Sequence, residues 1–347
     1  MADQTLPQPV IDMLASRFHR FHHHTWHIVR DNWYLLTDDD RKAIADLHWA
    51  PNGERGSWYL STWDQRKTGR IATTNGSGED FMFFHRQMIA SVRMMVEENG
   101  GTWASWATIP APAKGDRVPA TWQVISSNDI SSPVDETVTR SLATIKSDAF
   151  YFAEMALLQR QFRDPCYLQR ITLGELGSLV EWSVHNQMHI RWSAMPWNPD
   201  TGRHDPIPGR DDAALRVDAK WDDPKNDELN DTYSAPVNPV FWKLHQWVDD
   251  RIEDWAEANA RAIKRKTVGG VDWFDVCGGV GVSDPWTGAF PTTHHNGGMG
   301  DEQKLLAEME KTFEIVTTRV YAPTKSIQKA SSHAAGGLAK RLRFMTH

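Results

Sequence analysis

The segment HHHTWH, from His22 to His27, lies within an apolar stretch whose residue spacing predicts a helix over residues 12–30. His23 and His27 are four residues apart, so a helix places both imidazoles on one face, with Cβ atoms about 5–6 Å apart. A purification tag is a pure histidine run in a polar setting, which this segment does not have. The segment therefore predicts half of a metal site, with a solvated histidine cluster as the alternative.

Three further predicted helices carry histidines in a matching arrangement. His185 and His189 repeat the four-residue spacing, while His85 and His245 each stand near the start of an apolar helix. Any one of these histidines taken alone could be an ordinary core or surface residue. Chance rarely gives the joint pattern, which supplies two sets of three imidazoles. Imidazole sets without carboxylate or thiolate suit copper, zinc or nickel better than calcium or magnesium.

The hydrophobic periodicity predicts a mainly helical protein with long irregular loops and a few short strands. Besides the first helix, we expect helices over residues 40–48, 81–98, 133–162, 174–192, 239–265 and 301–313, and a strand over 313–321. Polar or glycine-rich loops are expected over 51–78, 196–237 and 278–300. We expect one domain over 1–347, in which a C-terminal extension, 266–347, packs on a helical core of about 8–265.

The composition of the 347-residue chain is that of a soluble globular protein. A net charge of −7 without a basic face argues against a nucleic-acid partner. No apolar run reaches the roughly 18 residues that a membrane helix needs, so no membrane partner is expected. Two cysteines, Cys166 and Cys277, and a first segment unlike a signal peptide predict a cytoplasmic protein. The oligomeric state cannot be read from the sequence.

The histidine segments resemble those of the type 3 copper proteins, which include tyrosinases, catechol oxidases, arthropod prophenoloxidases and hemocyanins. HNQMH at 185–189 is similar to the family's His-Asn-x-x-His, and NPVFWKLHQWVDDRIEDW at 238–255 is similar to its last ligand segment. HHHTWHIV at 22–29 and GEDFMFFHRQM at 78–88 resemble the arthropod segments of the first copper. The resemblance implies an antiparallel four-helix bundle around two copper ions, one held by His23, His27 and His85 and the other by His185, His189 and His245.

The resemblance also implies an activity. In the family, two Cu(I) ions bind O2 as a bridging peroxide, which oxidises catechols or hydroxylates phenols. We therefore expect a tyrosinase-like, copper-dependent monooxygenase or oxidase that takes O2 as co-substrate and a phenol, catechol or aminophenol-type small molecule as substrate. The alternatives are a hemocyanin-like dioxygen carrier, or an oxygenase of another small amine or aromatic in secondary metabolism. A di-iron bundle would need Glu-x-x-His motifs, which the sequence lacks.

Two residues beyond the ligands are implied as catalytic by the same resemblance. In tyrosinases, an Asn and a Glu position a water that can deprotonate a phenol. Asn186 matches the Asn, but Gly177 stands at the usual Glu position. Glu175 and Glu181 are possible substitutes on the same helix, and we expect Glu181, one helical turn before His185, to supply the carboxylate, with a surface carboxylate as the alternative.

Other residues near the ligands have predicted positions. Asp249, one turn after the last ligand, could accept a ring N–H or pair with Arg251, with a structural capping or salt-bridge residue as an equal alternative. His22 and His24 are rotated by about 100° from His23 on a helix of 3.6 residues per turn, so they are expected to point away from the metal.

Overall fold

The computed structural model describes residues 6–33, 36–51, 76–112, 118–124, 133–205, 217–276, 285–289 and 299–321. The protein is mainly helical over these residues. We number the helices α1 (Gln8–Ala15), α2 (Arg17–Asn32), α3 (Asp38–Asp46), α4 (Ser77–Glu98), α5 (Pro133–Lys146), α6 (Asp148–Phe150, Tyr151–Met155 and Ala156–Gln161 in succession), α7 (Pro165–Leu168), α8 (Leu173–Val180, Glu181–His185 and Asn186–Trp192 in succession), α9 (Pro239–Ala258) and α10 (Met299–Tyr321).

The described strands form two small antiparallel hairpins. β1 (Trp197–Asn198) pairs with β2 (Arg203–His204), and β3 (Ile263–Val268) pairs with β4 (Val271–Val276). The turn between β3 and β4 is Gly269-Gly270, and both residues have positive φ. A two-residue hairpin turn of this kind favours glycine at both positions, which sets the register of the second hairpin.

Several predicted helices are confirmed with small shifts of their ends. The helix predicted over 40–48 is α3, which begins earlier because Thr37 and Asp40 form a capping box. The helices predicted over 81–98 and 174–192 are α4 and α8. In α8, the segment Glu181–His185 is a π-helical turn that widens the helix and ends at the first histidine of the predicted ligand pair.

Two predicted helices are each broken by a serine. Ser16 has extended backbone angles and separates α1 from α2 within the helix predicted over 12–30. Ser147 has a similar conformation and separates α5 from α6 within the helix predicted over 133–162. In both cases the hydroxyl accepts a backbone N–H of the following helix. The serines therefore act as N-caps, which compete with helix continuation.

The helix predicted over 239–265 was wrong at its C-terminal end. α9 ends at Ala258, and the chain returns as β3. β4 pairs with β3 and buries Trp273 and Phe274 in the core. A short apolar stretch has no clear hydrophobic period, so its sequence does not distinguish a helix from a strand. Here the burial of these two large rings favours the strand.

The strand predicted over 313–321 was also wrong, because α10 continues as a helix to Tyr321. The segment contains β-branched residues, which favour strands in isolation. Thr312, Phe313 and Val316 are nevertheless buried at helical spacing, and α10 packs along α2. Tertiary packing therefore overrides the local preference.

Glycines bring the backbones of α4 and α8 into direct contact. A Cβ atom on Gly78 would lie 2.0 Å from the carbonyl oxygen of Gly174, and one on Gly177 would lie 2.2 Å from the carbonyl oxygen of Gly78. Neither distance is possible for a real Cβ atom, so only glycine permits this approach. The contact places two histidine-bearing helices close together.

One large hydrophobic cluster joins the histidine-bearing helices to the later part of the chain. It contains residues of α2, α4, α8 and α9. It also contains Trp273 of β4, Val316 of α10 and Trp286, which lies between these two elements in the chain. None of the helices in the described part of the chain is long and apolar enough to cross a membrane. The division into a core and a C-terminal extension stays a prediction.

Candidate metal centre

The six histidines predicted as ligands lie together between α2, α4, α8 and α9, and all six are buried. His23, His27 and His85 form one trio, in which the possible ligand nitrogens lie within 4.8 Å of one another. His85, His185 and His245 form a second trio at the same limit. His85 therefore belongs to both trios and lies between them. Buried histidine trios of this kind can hold a metal ion.

His189 lies beside the second trio. Its ring centroid is 4.4 Å from that of His185 and 5.3 Å from that of His245. The four-residue spacing places His185 and His189 on the same face of α8, as the sequence predicted. Three rings from α8 and α9 thus stand close to one another, with His85 of α4 next to them.

Oxygen acceptors fix the orientation of five of the six rings. In each of these rings, Nδ1 lies within 3.1 Å of a carbonyl or amide oxygen: Thr232 O for His23, Phe81 O for His85, Asn186 Oδ1 for His185, Leu229 O for His189 and Phe241 O for His245. Such an oxygen can only accept, so Nδ1 must carry the proton. The lone pair of the neutral ring is then on Nε2.

Two of these lone pairs face each other. The Nε2 atoms of His185 and His245 are 3.0 Å apart, and both rings carry their proton on Nδ1. Two lone pairs at this distance repel unless a cation lies near both. Nitrogens bound at 2.0–2.1 Å to a tetrahedral ion are about 3.3 Å apart. The separation therefore fits two ligands of one metal ion, as does the 3.2 Å between the Nε2 atoms of His23 and His27.

His85 is also placed to bind a cation. Its Nε2 is buried and, among the described residues, has no hydrogen-bond partner. A buried polar atom without a partner is costly in a folded protein, and a bound metal ion would remove that cost. The position of His85 between the trios makes this nitrogen available to either of them.

Burial keeps the central rings neutral. Desolvation lowers the pKa of His85 well below its ordinary value, and the neighbouring His23 lowers it further. Desolvation likewise lowers the pKa of His245, with a further contribution from His85. Only the neutral imidazole binds a metal ion, so these rings are in their ligand form at neutral pH.

The sequence matches no protein-family model, and no curated protein matches it.

Phe241 forms an apolar wall beside the histidines. Its ring stacks on His245, with centroids 3.7 Å apart, and its centroid is 5.3 Å from that of His23 and 5.7 Å from that of His189. The side chain is fully buried. It therefore keeps water from these rings and holds them by packing, while its carbonyl oxygen orients His245.

His22 and His24 lie outside both trios. The ring of His22 stacks on Phe84, with centroids 5.6 Å apart. The Nδ1 atom of His24 lies 2.7 Å from the hydroxyl oxygen of Thr232. The two rings thus point to other sides of α2, in the directions that the helical rotation predicted.

Glu181 is buried, and a single arginine binds both of its carboxylate oxygens. Arg30 donates to Oε2 at 2.6 Å and contacts Oε1 through its other terminal nitrogen. Glu181 would have to leave this ion pair before it could accept a proton from a substrate. Its role as a catalytic base stays a prediction. Arg30 was missed by the sequence reasoning, although its place three residues after His27 puts it near the same helix face.

Asn186 contacts a predicted ligand directly. Its Oδ1 atom lies 3.1 Å from Nδ1 of His185. This contact holds the ring with Nε2 turned toward His245. Orientation of a ligand ring by a neighbouring acceptor is common in metal sites and raises the basicity of the ring. Asn186 therefore orients a ring in the structure, and its role in holding a water stays a prediction.

Asp249 does not pair with Arg251, and its described partner is Arg86, whose Nε donates to it at 2.7 Å. Arg251 pairs instead with Asp254, at 2.8 Å. The pairing with Arg251 was wrong because residues two apart on a helix point in different directions, whereas residues three apart are neighbours. The alternative of a structural salt bridge is confirmed by the contact with Arg86.

Part of the predicted 196–237 loop contacts the Nδ1 side of two of the histidine rings. Leu229 and Thr232 supply the carbonyl oxygens that orient His189 and His23. Arg20, which is fully buried, donates to the carbonyl oxygens of Asp223, Asn226 and Tyr233 and so holds this stretch against α2. Residues 206–216 of this predicted loop lie outside the described residues. Backbone acceptors carry no sequence signal, so this support could not have been predicted.

Proposed function

We propose that the chain is a type 3 copper oxidoreductase that uses O2 to oxidise or hydroxylate a phenol, catechol or aminophenol-type small molecule. The observation that carries the proposal is the pair of buried histidine trios that share His85. In this proposal, α2, α4, α8 and α9 form an antiparallel four-helix bundle around the centre.

The donor set supports copper as the metal. Every proposed ligand is an imidazole, and this set suits copper, zinc or nickel. In the proposal, one ion is bound by His23, His27 and His85, and the other by His185, His189 and His245. Two bound copper ions would supply the electrons that reduce O2. Three ligands for each ion leave positions open for O2 and substrate.

The chain's own residues would prepare the centre for this chemistry. The carbonyl oxygens of Phe81, Leu229, Thr232 and Phe241 hold four rings with Nε2 directed away from the acceptor. The ring of Phe241 excludes water beside them. A water-poor site strengthens electrostatic interactions with a charged substrate such as a phenolate.

In this proposal, oxidation is favoured over hydroxylation, because neither Glu181 nor position 177 supplies a free carboxylate base. A phenol has a pKa near 10, so removing its proton at pH 7 costs about 4 kcal/mol without a base. Glu181 is held by Arg30. At position 177, a side chain would collide with the backbone of Gly78, so the tyrosinase Glu cannot stand there. Catechols and aminophenols carry more readily oxidised hydroxyl groups, and we propose them as the preferred substrates.

Copper analysis followed by oxygen-consumption assays tests the function. The purified protein loaded with Cu(II) should hold two ions per chain, and His23→Ala and His185→Ala should each remove about one ion, in keeping with three ligands for each open metal site. His22→Ala is the matched control on the same helix, because its ring lies outside both trios. Full copper retention in both ligand variants would refute the site.

The same preparation separates catalysis from oxygen carriage. The reduced protein is mixed with O2 and then with a panel of phenols, catechols and aminophenols. Consumption of O2 with formation of an oxidised product would support the enzyme. Reversible O2 binding without product from any of the substrates would contradict it and favour a carrier.

A further inference from the structure

We infer that the buried ion pair Arg30–Glu181 and the partly buried ion pair Arg86–Asp249 are positioning pairs that set the separation between the two metal ions. We call them the clamp pairs. The inference rests on the proposed two-copper function, but it assigns a role to residues that are not proposed metal ligands.

The first clamp pair joins α2 to α8. The side chains of Arg30 and Glu181 are both almost fully buried, and the contact is bidentate. The same guanidinium donates to the carbonyl oxygen of Ser77 at 3.0 Å, at the start of α4. It also lies over the ring of Trp26, 5.1 Å from the centroid. One arginine thus connects three of the four histidine-bearing helices.

The second clamp pair joins α4 to α9. Arg86 donates through Nε to Asp249 at 2.7 Å and through Nη2 to Glu253 at 2.7 Å. Its remaining terminal nitrogen donates to the carbonyl oxygen of Asp272 in β4 at 3.0 Å. Arg86 is buried by these contacts. A planar guanidinium with three fixed partners holds its helix in one position relative to α9.

Both clamp pairs cross between the two trios. α2 and α4 carry the first predicted set of ligands, and α8 and α9 carry the second. Each charged residue lies within about one helical turn of a ligand on its own helix: Arg30 after His27, Arg86 after His85, Glu181 before His185 and Asp249 after His245. A helix is stiff over one turn, so a shift at a clamp pair moves the nearby ligand by a similar distance.

The separation of two metal ions is sensitive to such a shift. Two ions that share a bridging ligand lie about 3.5–4 Å apart, so a change of about 1 Å breaks the bridge. The two predicted ligand sets already meet closely, since the rings of His85 and His245 stack with centroids 4.5 Å apart. A buried ion pair adds little net stability compared with an apolar pair of similar volume. A role in positioning the helices that carry the ligands therefore explains these ion pairs better than a contribution to folding stability does.

The test compares clamp variants with a matched ion-pair variant. Glu181→Gln and Asp249→Asn each weaken one clamp pair. Asp254→Asn is the control, because Arg251 and Asp254 form an ion pair with a buried arginine inside α9 and join no second helix. Each protein is loaded with Cu(II), its copper content is measured, and its electron paramagnetic resonance signal is integrated. Two Cu(II) ions joined by a bridge couple their spins and give no signal, whereas separated ions do.

We expect two copper ions per chain in all four proteins. The integrated Cu(II) signal should rise in the clamp variants from near zero toward about two spins per chain, since the bridge needs a separation of about 3.5–4 Å. It should stay at the wild-type level in Asp254→Asn. Glu181→Gln removes the bidentate ionic partner of a buried arginine and can unfold the chain, so Arg30→Lys is measured beside it. Arg30→Lys keeps both charges but loses the bidentate fork, and the same rise is expected.

The outcomes separate this inference from the proposed function. Fewer than two copper ions in the wild type, or two uncoupled ions, would refute the proposed two-copper centre itself. A coupled wild type with clamp variants that stay coupled at full loading would overturn the inference alone. An equal rise in Asp254→Asn would also overturn it. Loss of one ion from a clamp variant would do so as well, because the pair would then govern binding rather than separation.

Discussion

Gly177→Ala should separate α4 from α8 and destabilise the protein. The new Cβ atom would lie 2.2 Å from the carbonyl oxygen and 2.6 Å from the carbonyl carbon of Gly78. Ordinary contacts of this type begin near 3.4 Å, so the two backbones must move apart by about 1.2 Å. Overpacking costs about 1–3 kcal/mol, and a backbone clash belongs at the upper end. Alanine regains about 1 kcal/mol of helix propensity, so we expect a net loss of about 2 kcal/mol.

Urea denaturation of the metal-free protein, followed by circular dichroism, measures this loss. Gly174→Ala is the matched control on the same helix, because its Cβ atom would meet the carboxylate of Glu79 rather than backbone. A side-chain end can rotate away, so we expect a smaller loss there. A Gly177→Ala protein that is as stable as the wild type, or more stable than Gly174→Ala, would refute the close helix contact.

Three further predictions concern the histidines. Burial lowers the pKa of His85 and His245, so below about pH 6.5 only the unfolded chain binds these protons. As the pH is lowered from 7.5 to 5.5, the stability of the metal-free protein should therefore fall by about 1.4 kcal/mol in total for each ring, measured by urea midpoints. His27→Ala should lower the copper content measured by atomic absorption, whereas His24→Ala should not. A chelator should lower the melting temperature, since loss of a ligand present at about 100 times its Kd removes about 2.7 kcal/mol.

The helical part of the fold could be read from the sequence because its signal is local. Apolar residues at steps of three and four predicted α4 and α8 closely. The errors arose where a nonlocal contact decides the outcome. α10 stays helical because it packs on α2, and β3 forms because β4 lies beside it. The hydrophobic periodicity of one segment does not reveal contacts with a distant segment.

The candidate site shows the same division. The six histidines could be found because their four-residue spacing and their order resemble a known family. The pairing of Arg30 with Glu181 could not be predicted, because the two residues are 151 positions apart and no motif links them. Gly177 was noted as a departure from the family pattern, but only the structure gives the reason, which is the backbone of Gly78.

Four of the six rings owe their orientation to main-chain oxygens, at Phe81, Leu229, Thr232 and Phe241. A main-chain oxygen is present whatever side chain the residue carries. Descendants of this chain can therefore exchange the side chain at position 229 by point mutation and still inherit the acceptor. An insertion or deletion in that stretch would instead move the oxygens. At these positions, evolution of the centre is thus constrained more by the backbone conformation and the length of the segment than by the identity of the side chains.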